Sequence, residues 1–296
     1  MNIQKTILRT LYKIHPFSLK GDLGDLTSPR ENFLSCLILT QGRSAQLENL
    51  LYDLSCQNLN KSQFEVVIVE NNKRNVETEL LCQKYSAKLN IIYKEDSSTI
   101  FKLGTSRNLS VQLSKGDFLL FLDDDARILQ NDFLSKAVKT FQNNKLDILI
   151  PAGKPLYGIM KRKYCFLDKF SFATRCIFYK RTFLKEIGGF QNELFCYDDI
   201  ELGVRSILQN ANIKEDDSLE YYHPPLYFET MQKPYCIGQS ILSLRKRYSF
   251  ILWLAIYLNA LRYLVYILFP DTVRLQWFKI SLGVLSAPFL KKKYTY

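Results

Sequence analysis

Short apolar runs alternate with amphipathic stretches along the first half of the chain, which predicts alternating strands and helices. The predicted strands are residues 33–39, 64–69, 89–93 and 118–122. The predicted helices between them cover residues 47–54, 77–85 and 106–113. This alternation predicts an α/β fold, with a mostly parallel sheet and helices on both of its faces.

Polar residues follow three of these strands at the point where each strand ends. They are Thr40, Glu70 and Asp123. The carboxyl ends of parallel strands meet at one edge of a sheet, and ligands of open α/β sheets bind there. We therefore expect the functional site at this edge.

Long apolar stretches begin near residue 249. Residues 250–269 carry Arg262 as their only charge, and about twenty apolar residues are enough to cross a bilayer. A shorter apolar stretch, residues 275–290, contains Lys279 and is followed by three lysines. Two interpretations stay open: a helical hairpin that spans a membrane, or helices that lie in the membrane interface or pack on the domain.

The net charge of the chain is +11, and most of it lies in the same C-terminal region. Residues 231–296 contain ten basic residues and one acidic residue, which places +9 there. A segment that is both basic and apolar suits a membrane surface better than nucleic acid. We therefore expect association with the cytoplasmic face of a membrane and no nucleic-acid partner. The sequence leaves the oligomeric state open.

The seven cysteines are scattered and include no C-x-x-C pair, so neither a zinc site nor a disulfide framework is indicated. This pattern favours a reducing compartment. No secretory signal is visible, because basic residues interrupt the apolar positions near the N-terminus. We predict an N-terminal extension with a basic amphipathic helix (residues 1–30), a catalytic domain (31–230) and a helical, membrane-associating tail (231–296).

The strongest local motif is the acidic run Asp123-Asp124-Asp125, directly after a predicted buried strand. Adjacent carboxylates repel one another, and hard oxygen ligands of this kind suit Mg²⁺ or Mn²⁺, which bridge phosphate oxygens. The alternative is a solvated acidic turn before the next helix. The position of the run at a strand end favours the metal site.

A second acidic motif, Asp198-Asp199-Ile200-Glu201, opens a predicted amphipathic helix. One of these carboxylates suits a helix cap, because the first N–H groups of a helix lack partners. Another suits a general base that takes a proton from an acceptor hydroxyl, and the two roles are compatible. His223, one of two histidines in the chain, is by itself more typical of a structural residue than of a ligand.

The order of the motifs resembles that of glycosyltransferase family 2, whose members have the GT-A fold. The matching segments are LILTQGR, VVIVENN, GTSRNLSVQLSKGDFLLFLDDD, IGGFQNEL and DDIELGVR. Together they extend over residues 32–227, and their order and spacing make the resemblance specific. It implies a Rossmann-like, mostly parallel mixed sheet, here followed by apolar C-terminal helices. It also implies transfer of a sugar from a nucleotide-sugar donor, with inversion at the anomeric carbon.

The resemblance further implies roles for individual residues. Asp123, Asp125 and His223 match residues that hold a divalent cation, Mn²⁺ or Mg²⁺, and Asp199 matches the general base. The positions that match donor-contacting residues are Thr40, Arg43, Glu70, Gly104, Arg107, Asn108 and Asp124. Two positions depart from the family pattern. Glu70 replaces the usual Asp, which leaves the donor nucleotide open, and Asp198 replaces the usual Glu.

We therefore expect a metal-dependent glycosyltransferase that acts on a hydroxyl of a glycan or a lipid-linked acceptor. A sugar-1-phosphate nucleotidyltransferase would need a glycine-rich loop after the first strand, and LTQGRSAQ has one glycine. A dinucleotide-dependent oxidoreductase would need G-x-G-x-x-G, which the chain lacks. The remaining alternative is a catalytically silent, membrane-associated protein that binds sugar nucleotides or serves as an assembly partner.

Overall fold

The computed structural model describes residues 3–71, 74–97, 102–155, 174–224, 231–268 and 271–289. Within these residues the chain forms a seven-stranded mixed sheet with helices packed on both faces. The strands are β1 (Arg30–Thr40), β2 (Phe64–Asn71), β3 (Ile91–Asp96), β4 (Gly116–Asp123), β5 (Ile148–Pro155), β6 (Cys176–Lys180) and β7 (Ile213–His223). The helices are α1 (Ile3–Ile14), α2 (Ser44–Ser55), α3 (Val76–Tyr85), α4 (Leu103–Leu113), α5 (Phe133–Asn143), α6 (Arg181–Glu186), α7 (Asp198–Leu208), α8 (Gln232–Gln239), α9 (Phe250–Leu261) and α10 (Thr272–Ser286).

The strand order across the sheet is β3-β2-β1-β4-β6-β5-β7. Strands β3, β2, β1 and β4 are parallel, as is the pair β5 and β7, whereas β6 runs antiparallel to both of its neighbours. The predicted α/β fold with a mostly parallel mixed sheet is therefore confirmed. Strand β7 carries many charged residues along its length, and it lies at an edge of the sheet, where polar residues discourage pairing with other chains.

Backbone pairing continues past the apolar runs from which the strands were predicted. Strand β2 extends through Glu70 and Asn71, which pair with Glu95 and Asp96 of β3. Strands β1 and β4 are also longer than predicted, and β3 begins two residues later than predicted. The apolar pattern marks the buried part of each strand, whereas the ladder of hydrogen bonds extends into the polar residues that form the site.

The sheet separates two apolar clusters, because successive side chains of a strand point to opposite faces. Cys36 and Ile38 of β1 belong to one cluster, and Leu37 between them belongs to the other. The second cluster also includes Leu8 of α1 and Trp253 of α9. Residues of the predicted N-terminal extension and of the predicted tail therefore pack on the same core as the catalytic domain.

The C-terminal helices pack closely on one another. A Cβ atom on Gly238 of α8 or on Gly283 of α10 would collide with the backbone of the opposing helix. Helix α9 continues as a 3₁₀ helix, Arg262–Leu268. Among the described residues, the segment Phe250–Leu268 has the length and apolar character needed to cross a membrane, with a mean hydropathy of 1.7. The three lysines at residues 291–293 lie outside the described part of the chain.

A buried ion pair joins the second acidic motif to a two-glycine turn. Glu201 and Arg205, one turn apart on α7, pair at 2.7 Å, and neither side chain is exposed. The same guanidinium donates to the carbonyl oxygens of Ile187 and Gly189. Gly188 and Gly189 have φ values of 75° and 61°, a left-handed conformation that glycine adopts without steric cost. The IGGF and ELGVR segments therefore form one packed unit.

Replacing Glu201 by Leu is expected to destabilise the protein, because it leaves the charge of Arg205 buried without its carboxylate partner. Loss of one partner of a buried pair costs about 3–5 kcal/mol, which urea unfolding would show as a lower midpoint. Glu48→Gln is the control, because it breaks a solvent-exposed pair with Lys84 and should leave the midpoint almost unchanged. Equal midpoints for native protein and Glu201→Leu would contradict the structural role of this pair.

Candidate active site

Three adjacent parallel strands end at the same level of the sheet and carry the first site residues. Thr40 of β1 is the register partner of Glu70 on β2, and Leu39 of β1 is the partner of Asp123 on β4. The side chains at these strand ends therefore lie at one edge of the sheet, on neighbouring strands.

Arg43, in the turn after β1, joins two carboxylates of the acidic run. Its guanidinium lies 2.6 Å from Asp124 and 2.6 Å from Asp125. The Thr40 hydroxyl donates to the other oxygen of Asp124 at 2.9 Å. Burial raises the pKa of Asp124 to about 7, against the opposing charge of Arg43. The middle carboxylate of the run is therefore tied to β1 and to the turn that follows it.

The Glu70 carboxylate is buried, and both of its oxygens accept hydrogen bonds. The backbone N–H of Gly42 donates to one oxygen at 2.8 Å, and the Thr78 hydroxyl donates to the other at 2.8 Å. Gly42 has a φ of 64°, which glycine adopts readily and other residues rarely do. Glu70 therefore fixes the turn that presents Arg43 to the acidic run.

Pairing between the turn after β4 and the end of β7 brings His223 to the acidic run. Arg127 and Tyr222 exchange two backbone hydrogen bonds, of 2.8 and 2.9 Å. Asp53 of α2 accepts hydrogen bonds from the Arg127 side chain through both oxygens, and from the backbone N–H of Ile128. Helix α2, the acidic run and β7 are thus held together by one network.

His223 faces two carboxylates with its Nε2 atom. This nitrogen lies 3.3 Å from Asp123 Oδ2 and 3.0 Å from Asp125 Oδ1, whereas Nδ1 lies 2.6 Å from the carbonyl oxygen of Pro224. Each of the three site residues offers one ligand atom, and these atoms all lie within 4.8 Å of one another. The structure therefore brings together the three residues predicted to hold a cation.

Interactions within this cluster shift its protonation equilibria. Burial acts to lower the pKa of His223, but its hydrogen bonds to Asp123 and Asp125 and their charges outweigh burial and raise the pKa to about 9. Burial acts to raise the pKa of each carboxyl group, but His223 outweighs it and holds both pKa values below their usual range. An imidazolium therefore balances the two carboxylates when no cation is bound.

Asp198 and Asp199 lie in the first turn of α7 and have different surroundings. Asp198 is buried and pairs with Arg107 of α4. Asp199 accepts a hydrogen bond from the backbone N–H of Ile200 at 2.8 Å. Burial raises the pKa of Asp199, and the charge of Arg107 opposes this shift. Asp199 has a perturbed protonation equilibrium of the kind that is common in general bases.

The predicted donor-contacting residues on α4 contact other segments of the chain. Besides its pairing with Asp198, Arg107 lies 5.4 Å from the centre of the Phe190 ring. The Asn108 amide donates to the carbonyl oxygen of Phe190 at 2.9 Å and to the Asn192 side chain at 2.8 Å. A contact between a donor and the Asn108 amide nitrogen would have to replace one of these bonds. Gly104 packs on the same segment, where a Cβ atom would collide with the backbone.

Three residues that support the site were not predicted from the sequence: Asp53, Thr78 and Arg127. Asp53 lies among leucines on the buried face of α2. This position was a usable signal, because a buried carboxylate requires a partner. Thr78 and Arg127 gave no comparable signal, since their roles depend on contacts with Glu70 and Asp53 from other segments.

The sheet order, the acidic run after β4 and the carboxylates at the start of α7 define the GT-A class of glycosyltransferase folds. The family described as Glycosyl transferase family 2 matches residues 35–210 of this chain. The chain belongs to this family, which confirms the resemblance seen in the motifs.

Several known proteins are similar to this chain. Poly(ribitol-phosphate) beta-N-acetylglucosaminyltransferase TarS of Staphylococcus aureus is 27% identical over 124 residues, which cover 42% of this chain and 21% of TarS. The chain thus spans about a fifth of that relative. The crystal structure of S. aureus TarS 1-349 in complex with UDP-GlcNAc superimposes on this chain with a TM-score of 0.59 and 22% sequence identity. The aligned part covers 87% of this chain and 72% of the TarS chain. A second similar structure is the mannosyltransferase PcManGT from Pyrobaculum calidifontis in complex with GDP-Man and Mn2+. It superimposes on this chain with a TM-score of 0.58 and 12% sequence identity, and the aligned part covers 97% of this chain and 93% of the PcManGT chain.

The raised pKa of His223 predicts a pH dependence of stability. The folded-state pKa of about 9 lies above the ordinary value of 6.5, so this stabilisation is fully present below pH 6.5 and is lost as the pH rises through 9. It amounts to roughly 3–4 kcal/mol, at about 1.4 kcal/mol for each pKa unit. In urea unfolding with a chelator present, the stability advantage of native protein over His223→Gln should shrink between about pH 6 and about pH 9.5.

The second histidine of the chain provides a matched control. His15 is exposed, so His15→Gln should follow the native protein at each pH. An advantage of native protein over His223→Gln that stays constant across this pH range would show that the imidazolium does not stabilise the carboxylate pair.

Proposed function

We propose that the protein transfers a sugar from a nucleotide-sugar donor to an acceptor hydroxyl, with a divalent cation and with inversion at the anomeric carbon. The observation that carries this proposal is that a three-residue cation cluster and Asp199 belong to one site. Arg107 links them, because it interacts electrostatically with both Asp123 and Asp199. The cluster suits the leaving group, and Asp199 suits the proton of the nucleophile. Membership in glycosyl transferase family 2 supports this assignment.

Asp123, Asp125 and His223 fit a cation such as Mn²⁺ or Mg²⁺. Carboxylate oxygens are the preferred ligands of these ions, and a neutral imidazole nitrogen adds a third ligand. When bound, the cation supplies positive charge that stabilises the departing nucleoside diphosphate. The PcManGT structure, which contains GDP-Man and Mn2+, supports this choice.

The donor side in this proposal comprises four residues near the strand ends, Thr40, Arg43, Glu70 and Asp124, and three residues of α4, Gly104, Arg107 and Asn108. The Arg43 side chain is 44% exposed and is therefore accessible to the diphosphate, for which a guanidinium forms charge-assisted hydrogen bonds. In this proposal, as the family resemblance implies, Glu70 belongs to the side of the nucleotide base. The TarS structure with UDP-GlcNAc supports a nucleoside diphosphate sugar as the donor.

The reaction is a single displacement. Asp199 accepts the proton of the acceptor hydroxyl while the hydroxyl oxygen forms a bond to the anomeric carbon. The bond between this carbon and the diphosphate oxygen breaks, and the electron pair leaves with the diphosphate. Because attack occurs on the face opposite the leaving group, the configuration is inverted. The raised pKa of Asp199 makes its carboxylate a stronger base than an ordinary aspartate.

The basic, apolar tail supports action at the cytoplasmic face of a membrane, on a lipid-linked or surface glycan acceptor. The name of TarS identifies a poly(ribitol-phosphate) acceptor for that relative, which supports the proposal of a polymer acceptor for this chain. The alternative is a catalytically silent protein that binds sugar nucleotides or takes part in assembly. Measurement of catalytic turnover distinguishes the two, because a catalytically silent protein would bind the donor without releasing nucleoside diphosphate.

Asp199→Asn is expected to lower transfer by about 10²–10⁴-fold, because the amide cannot accept the proton. Donor affinity should change less than about twofold, since Asp199 serves the acceptor side. The measurement is release of nucleoside diphosphate with Mn²⁺, a sugar nucleotide that binds, and a lipid or glycan extract as acceptor source. Asp25→Asn, at an exposed position, is the control with the same chemical change.

The outcomes of this experiment distinguish an active glycosyltransferase from a catalytically silent protein. Substantial turnover by Asp199→Asn would show that the base is another residue. Donor binding by native protein without turnover on any acceptor extract would instead support the catalytically silent alternative.

Asp125→Ala is expected to abolish the dependence of donor binding on Mn²⁺. A thermal-shift panel of nucleoside diphosphates and sugar nucleotides identifies the donor, because a ligand at about a hundred times its Kd stabilises a protein by about 2.7 kcal/mol. At least one nucleotide should raise the melting temperature of native protein with Mn²⁺, and Asp125→Ala should lose this rise. Asp217→Ala, at an exposed site on β7, should keep it. An equal rise with and without Mn²⁺ would contradict the cation site.

A further inference from the structure

An apolar ridge runs along the outer side of the segment Phe250–Leu268. We define the ridge as Ile251, Ala255, Leu258, Val265 and Leu268, all of which are exposed. The first three are spaced by four and three residues, which places them on one face of α9. The last two are three residues apart in the 3₁₀ continuation, where a face repeats every third residue. Leu258 and Leu268 are 56% and 68% exposed, although apolar residues of this size are usually buried.

The opposite side of the same segment packs on the core of the domain. Leu252 and Trp253 are buried, and the Trp253 indole donates to the carbonyl oxygen of Ile241 at 3.2 Å. Tyr257 and Leu261, further along the helix, pack against the same core cluster. Helix α9 therefore lies along the domain surface over its whole length, and does not project away from the domain.

Helix α10 holds the end of α9 and the start of its 3₁₀ continuation in the same way. The Ser281 hydroxyl donates to the carbonyl oxygen of Ala260 at 2.7 Å, and the rings of Tyr263 and Trp277 lie 4.7 Å apart. Helix α10 is in turn fixed to α8, where the Tyr235 hydroxyl donates to Ser286 at 2.7 Å. One side of the segment is thus attached to protein from Leu252 to Tyr263, and the ridge is on the other side.

Burial of Leu252 and Trp253 in the core, near the start of the segment, favours a helix on the domain surface over a membrane span. A spanning helix is surrounded by lipid or by other spanning helices, whereas this helix has one side on the core of a domain whose sheet edges and polar site require water. Arg262 is exposed between Leu258 and Val265, which would place a charge within the hydrocarbon of a spanning segment. Arg262 is four residues from Leu258 and three from Val265 and therefore lies on the line of the ridge, so in a helix that lies flat its flexible side chain has to bend back to bring the guanidinium to the headgroups.

The charges around the ridge indicate the kind of surface that it meets. Residues 231–268 contain five basic residues and no acidic residue. Arg245 and Lys246 are exposed near the start of the ridge, and the Arg245 guanidinium lies 5.9 Å from the Phe250 ring. A row of apolar side chains bordered by cations suits the interface of a bilayer that contains anionic lipids.

We propose that the ridge inserts flat into one leaflet of an anionic membrane, with the helix axis parallel to the membrane plane, and that the segment Phe250–Leu268 does not span the bilayer. This inference rests on the proposed membrane association of the tail and names its surface, lipid class and orientation. Lipid binding requires neither donor nor acceptor, so it can be tested even if the proposed transfer reaction fails.

The test is sedimentation of the full chain with vesicles of phosphatidylcholine alone, and with vesicles of phosphatidylcholine and phosphatidylglycerol in equal parts. Native protein should bind the anionic vesicles and bind the neutral ones much more weakly. The double variant Leu258→Glu/Val265→Glu should bind anionic vesicles about a hundredfold less well, because two apolar side chains no longer enter the lipid. Both positions are exposed, so the variant should keep the native melting temperature.

A matched control carries the same two changes on another surface of the protein. Val76→Glu/Leu80→Glu replaces residues that are 66% and 58% exposed on α3, and should bind vesicles nearly as well as native protein. An equal loss in both double variants would show that added negative charge, and not the ridge, governs binding, and would overturn the proposal. Native protein that fails to bind anionic vesicles would overturn it as well.

Two further measurements test whether the helix lies flat in the membrane, and whether the ridge binds a second copy of the chain instead of lipid. Protein that lies in the interface should be released from vesicles by alkaline carbonate, whereas retention after carbonate treatment would show a span and overturn the flat orientation. If light scattering without lipid shows a dimer that Leu258→Glu/Val265→Glu dissociates, the ridge binds a second copy of the chain, and the lipid assignment is wrong. A monomeric native protein with carbonate-sensitive, anionic-lipid-dependent binding is the result that we expect.

Discussion

Charge compensation around three consecutive carboxylates is the interaction on which the site depends. Each ionised member of the run Asp123-Asp124-Asp125 disfavours ionisation of its neighbours, and burial adds to this cost. Cationic groups from separate segments offset it: Arg43 from the turn after β1, and His223 from the end of β7. The hydrogen bonds of Glu70, Asp53 and Arg127 hold these segments in place. Much of the polar network therefore serves to keep adjacent negative charges at one strand end.

The two sides of the site rest on different supports. The cation cluster lies at the end of β4, whereas Asp199 lies at the start of α7. Helix α7 is fixed to the two-glycine turn through Arg205, and to α4 through the contact of Asp198 with Arg107. In the proposed reaction, the leaving group and the attacking hydroxyl are held on opposite sides of one carbon atom. Separate rigid supports suit this arrangement, and the motif segments that provide them extend well beyond the acidic residues.

The C-terminal helices combine packing on the domain with an exposed apolar surface. They share the core of the catalytic domain, yet one side of α9 exposes apolar residues to the solvent. The packed side fixes α9 to the domain. The exposed apolar side therefore gives the domain a defined orientation when another surface covers it. The membrane-carried glycan acceptor that we propose would require such an orientation, because the site would have to face an acceptor confined to a plane.

The sequence alone determined the alternation of strands and helices, the strand-end positions of Thr40, Glu70 and Asp123, and the family to which the chain belongs. Periodicity, strand ends and motif order are local properties, which neighbouring residues fix. Tertiary structure alone decided which supporting groups meet: Arg107 with Asp198, Asn108 with residues 190–192, and Arg127 with Asp53. It also decided which side of α9 packs on the core. These outcomes depend on contacts between distant segments, and their energies arise only when the sheet and its helices have assembled.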